Sequence, residues 1–79
     1  MAREKSLKVV LTFPGTTQAM KMEKAAREAG VPGRLIPVPS SIRAGCGMAW
    51  CAPLGTREQL TELAAREGIE WEEFYERIL

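Results

Sequence analysis

The chain contains no histidine, and only two cysteines, one tyrosine, two phenylalanines and two tryptophans in its 79 residues. Without an imidazole there is no ordinary base to activate a cysteine or serine, which argues against protease-like acyl chemistry. A closed zinc site within one monomer would have too few soft ligands. Neither a metal nor an organic cofactor is expected. An excess of charge of one sign is missing too: 11 Lys+Arg face 10 Asp+Glu, for a net charge of +1, with the signs interleaved rather than blocked. Nothing in that balance steers the chain to nucleic acid. Long hydrophobic runs are absent as well. The apolar stretch in SLKVVLTF is closed by Pro14-Gly15 instead of a small-residue cleavage site, and no segment approaches the roughly twenty apolar residues of a membrane span. The expectation is a soluble cytoplasmic protein, a single domain over residues 1–79, with a thin margin of stability from its core.

What is present reads as alternating strands and helices. Leu7, Val9, Leu11 and Phe13 alternate with Lys8, Val10 and Thr12, which predicts a strand with one face more apolar. Pro14-Gly15 ends it, and Thr16 or Thr17 is positioned to cap a helix running to Ala29, with Gly30 as its stop. Ala19, Met22, Ala26 and Ala29 recur at helical spacing, so the buried face is small and suited to close approach to a sheet. RLIPV at 34–38 predicts a second strand. Pro37 and, just beyond it, Pro39 lack amide donors on the same side, which suits an edge strand with that side in solvent. GMAWCA at 47–52 predicts a third strand. Thr56 and Gln59 have capping-box spacing before a second helix with Leu60, Leu63 and Ala64 facing inward and Gly68 at its end.

The tail, IEWEEFYERIL, fits two patterns: Trp71, Phe74, Tyr75, Ile78 and Leu79 lie at helical spacing, yet the aromatic and β-branched content also suits a strand. Topology favours the strand. Strand-helix-strand twice over gives a ferredoxin-like βαββαβ α+β fold, whose right-handed crossovers produce a four-stranded antiparallel sheet of order 4-1-3-2 with two helices on one face. In that order the second strand is an edge, as its prolines independently require.

The stretch GCGMAWCAP, residues 45–53, holds both cysteines. This topology puts the loop between strands two and three at the same end of the sheet as the start of helix one, so Cys46 is expected near Pro14 to Thr17. Free amides and the positive end of a helix dipole favour a thiolate, and Gly45 and Gly47 let backbone N–H groups turn toward the sulfur. Arg43 adds positive charge nearby. The same glycine pair also fits a plain tight turn at a strand start. Cys51 is different: five extended steps at ~3.3 Å separate it from Cys46 by about 16 Å, beyond the ~7 Å limit for a disulfide. It reads as a buried small residue. A lone thiolate at residue 46 can carry a sulfur or selenium atom, exchange with a disulfide, or react with an oxidant.

LTFPGTTQAMKMEKAAREAGVPGRLIPVPSSIRAGCGMA resembles a family of very small bacterial and archaeal domains described as selenium/sulfur (Se/S) carrier protein-like. Phe13, Thr16, Thr17, Ala19, Glu23, Gly30, the run Ile36-Pro37-Val38-Pro39 and the run Gly45-Cys46-Gly47 carry the resemblance, which spans essentially the whole chain. Family members often place an arginine directly after the second proline; here Ser40 and Ser41 precede Arg43. Cys51 is outside the pattern. The resemblance implies a carrier that holds the chalcogen on Cys46 as a persulfide or selenosulfide and passes it between donor and acceptor proteins. Gly45, Gly47, Thr16, Thr17 and Arg43 would then surround the terminal atom, with no turnover chemistry of its own.

A different class of function competes with this one. A sheet with helices on one face leaves the other open, and Val10, Leu35 and Pro37, or the pair Met48 and Trp50, would make that face apolar enough to dimerise or dock on a larger protein. A metal or disulfide shared between Cys46 residues of two subunits is a third expectation to test.

Overall fold

The computed structural model describes residues 6–42 and 47–79. Six elements follow in order: β1 (Leu7–Thr12), α1 (Thr16–Ala29), β2 (Arg34–Pro37), β3 (Met48–Pro53), α2 (Arg57–Glu67) and β4 (Phe74–Ile78). The strands form one sheet in the spatial order β2-β3-β1-β4, every neighbouring pair antiparallel. This is the predicted βαββαβ arrangement, with the proline-bearing strand at an edge.

The tail takes the strand because it alternates. Phe74 packs with the helix-side core while Tyr75 and Leu79 turn to the opposite face, a period of two that a helix cannot supply. Backbone bonds fix it to β1: the Thr12 N–H donates to the Glu73 carbonyl (3.0 Å), the Glu72 N–H to the Thr12 carbonyl (2.7 Å), and Ser6 and Leu79 exchange bonds at the far end. Trp71 stays outside the ladder, 37% exposed, with its ring edge-on to Phe74 at 4.8 Å.

The main core lies between the sheet and the two helices. Val9, Leu11 and Phe13 from β1 and its end, Trp50 and Ala52 from β3, Ala19, Met22 and Ala26 from α1, and Leu60, Leu63 and Ala64 from α2 close it. Phe13, Leu11, Met22 and Leu60 are the largest of the fully buried side chains, each worth about 1.5–3 kcal/mol of transfer free energy. The small face of α1 includes Ala25 rather than Ala29, which is exposed in the last turn before Gly30. The axial drift of a 3.6-residue repeat carries position 29 off the sheet.

Three local expectations are corrected. Neither Thr16 nor Thr17 caps α1: Gly15, in extended conformation, is the N-cap, and Thr16 is already helical. Thr56 precedes α2 as expected but forms no capping box, because its hydroxyl donates to the Pro53 carbonyl at 2.8 Å and its backbone is helical. The third strand is shifted by one residue, to Met48–Pro53.

Candidate functional site

The site expected from the sequence is the end of the sheet where β1 passes into α1 and where the β2–β3 loop departs and returns. The register brings these features together. Thr12 lies opposite Ala49 across β1 and β3, and Met48 lies opposite Pro37 across β3 and β2. The turn Phe13–Gly15 and the returning residue Gly47 therefore sit at one end of adjacent strands. The Val38 N–H donates to the Gly47 carbonyl at 3.0 Å, extending the β2–β3 ladder by one residue and closing the neck of the loop. Arg43, Gly45 and Cys46 lie outside the described residues, so the expected contacts of Cys46 with Pro14 to Thr17 lie outside them as well.

On the α1 side of this end, Pro14, Thr16 and Thr17 are exposed. Among the described residues no side chain caps the helix, and its first turn carries no acidic residue, so none of them offsets the positive end of the dipole there. The Gln18 side-chain oxygen is turned away, accepting from the Glu70 N–H at 2.9 Å. That bond ties the start of α1 to the segment entering β4.

The loop itself is anchored on the face away from the helices. Residues 39–42 make a turn closed by the Ile42 N–H donating to the Pro39 carbonyl at 2.9 Å, and Ile42 is buried against Val10 and Ala49 with Ile36, Val38, Tyr75 and Leu79 around it. Ser41 accepts a 3.2 Å hydrogen bond from Arg77 Nε. This strap is the part of the site that sequence reasoning missed; its only signal is one aliphatic residue inside the polar run SSIRAG.

The strap also changes the reading of the second sheet face. Met48 and Trp50 belong to the helix side, and so does Leu35, with Pro37 opposite Met48 on the same face. Of the residues expected on the open face, only Val10 is there, and it is fully covered. The apolar docking face expected from Met48 and Trp50 is therefore not formed.

Cys51 lies on the strap side, directly between Val10 of β1 and Arg34 of β2. It is a free thiol and buried. Burial pushes its pKa upward, against the opposing charges of Lys8 and Arg34, so this sulfur is held as the neutral thiol. It behaves as a packing residue, in line with its sequence reading. Among the described residues no group of three or more His, Cys, Asp or Glu side chains is arranged to hold a metal ion, and no helix is long and apolar enough to cross a membrane.

Compared with known proteins, the chain matches the sequence model of the family described as "Putative Se/S carrier protein-like" over residues 8–76. No curated protein and no solved structure matches it.

Proposed function

The chain belongs to the Se/S carrier-like family, and from that membership we propose that Cys46 is the carrier atom's attachment point in a single domain spanning residues 1–79. In this reading the Cys46 thiolate attacks the outer sulfur of a donor protein's persulfide. A new sulfur–sulfur bond forms on Cys46, the donor's bond breaks, and the donor leaves as its thiolate. An acceptor nucleophile then takes the outer sulfur and releases the Cys46 thiolate, so no external oxidant or reductant enters. A selenium atom would travel by the same displacement as a selenosulfide.

The observation that carries the reading is the register that sets Gly47, the covalent neighbour of Cys46, at the same end of the sheet as the start of α1. The first-turn amides and the dipole of a helix start favour an anionic sulfur. Gly45, Gly47, Thr16, Thr17 and Arg43 are proposed to supply the donors and charge around it. The buried, neutral Cys51 leaves Cys46 as the thiol suited to exchange. Donor and acceptor proteins are the implied partners, and the cytoplasm, where thiols stay reduced, is the implied compartment.

Intact mass after incubation with a cysteine desulfurase and cysteine tests this. Wild type and Cys51→Ala should gain one sulfur, lost again on reduction, and Cys46→Ser should gain none. The same added mass on Cys46→Ser would sink the proposal.

A further inference from the structure

The two edges of the sheet are built differently. On β2, the Val38 N–H points inward to the Gly47 carbonyl. Residues 35, 37 and 39 therefore face outward, and two of these three are prolines that offer no donor. On β4, Glu73 accepts from Thr12 and Leu79 donates to Ser6, so the odd-numbered residues bond to β1. Phe74, Glu76 and Ile78 turn their N–H and C=O groups to the outer edge, where no strand follows among the described residues. None of them is proline. Ile78 is 66% exposed, and Glu76 is exposed. One edge is blunted, while the other keeps an outward N–H at each of these positions, as a strand that pairs with another does, with the Glu76 carbonyl held by Arg77 of the same chain.

We propose that β4 pairs with β4 of a second copy of this chain, antiparallel about a two-fold axis, to make one continuous eight-stranded sheet. The charge order of the strand selects the second copy and its register. Centred on Glu76, the pairing would set two carboxylates face to face; centred on Arg77, it would set two guanidinium groups together. Centred on Tyr75, it places the two tyrosines opposite each other and Glu73 opposite Arg77 of the partner subunit, twice by symmetry. Glu73, Tyr75 and Arg77 share one face by strand alternation. Arg77 already spends two of its five donors within the chain, Nε on Ser41 and one terminal nitrogen on the Glu76 carbonyl at 2.8 Å. Pairing replaces the bond to Glu76 with the partner's Phe74 N–H and gives the freed nitrogen a carboxylate.

Sedimentation equilibrium from micromolar to millimolar protein tests the proposal. Wild type should move from 8.7 kDa to twice that mass. Glu76→Pro removes an outward donor without touching the β1 ladder and should stay monomeric with unchanged far-UV circular dichroism. Glu73→Arg and Arg77→Glu should each weaken the dimer by about tenfold or more, and the double variant should regain it; this charge exchange decides the matter if the proline variant fails to fold. A wild-type mass of one chain throughout overturns the proposal, as does a dimer that a folded Glu76→Pro variant leaves intact or that the charge exchange does not restore.

Discussion

Val38 and Gly47 meet across a 3.0 Å backbone hydrogen bond, and that bond sets the neck of the loop in which the proposed carrier cysteine occurs. Gly47 has φ +71, and a Cβ built there meets nothing within 4 Å. The cost of Gly47→Ala is therefore conformational rather than steric, about 1 kcal/mol. Urea unfolding should show a lower midpoint, corresponding to a stability reduced by about that amount, with a slower sulfur uptake at Cys46. An unchanged midpoint would show that the left-handed conformation is not required.

Gly33 answers to a different constraint. Its φ is +140, and an added Cβ would lie 2.5 Å from Trp50 Nε1, 2.6 Å from Cε2 of the same ring and 2.8 Å from the Cys51 carbonyl. The ring is locked in the core at 3% exposure and the carbonyl belongs to the central part of the sheet, so neither can yield cheaply. Gly33→Ala should cost about 3 kcal/mol or more, a large part of the roughly 5 kcal/mol available to a domain of this size. Near-UV circular dichroism should lose its tryptophan signal or melt at much lower temperature. A variant as stable as wild type would refute this close packing.

Ile42 is the apolar anchor of the strap. Ile42→Ala should lower stability by about 2 kcal/mol, the shallow end of the range for such truncations, because the second cluster is small. The variant should also transfer sulfur less efficiently at Cys46, four residues on. Equal transfer rates in the two proteins would separate the strap from the proposed site.

The two thiols should titrate apart. Burial raises the Cys51 pKa above that of an ordinary thiol. Because the folded pKa exceeds the unfolded one, the stabilisation is fully present below the unfolded value and is lost as pH rises through the folded one. The loss of stability on the alkaline side should be shallower in Cys51→Ala than in wild type. In a Cys46→Ser background, alkylation of Cys51 should be slow and should rise only at high pH. Cys46, read in Cys51→Ala, should react as a thiol with a pKa below the ~8.5 of an ordinary cysteine. An unshifted or raised value there would leave the proposed carrier chemistry without its nucleophile.

Much of the frame was legible from short patterns. The alternation from Leu7 to Phe13, the small residues of α1, the glycines at 30 and 68 and the paired prolines at 37 and 39 each impose one local answer. Caps were less legible. A threonine before a helix can bond an amide of the first turn or a nearby carbonyl, and at Thr56 the second outcome prevails. For the site, the sequence identified which loop and which end of the sheet to look at, but not the strap of residues 39–42, because burial of Ile42 depends on side chains from all four strands.

The amino-acid sequence alone determined the first five elements and the family, since each rests on spacing, backbone chemistry at Gly and Pro, or a run such as Ile36-Pro37-Val38-Pro39. Only the tertiary structure decided which way Met48 and Trp50 point, that the second face is covered, and that the tail is a strand with an unblunted edge. A period of two says that alternate residues share a face but not which face meets the helices; that choice is made by the volume the helices leave to be filled, and here Trp50 fills it.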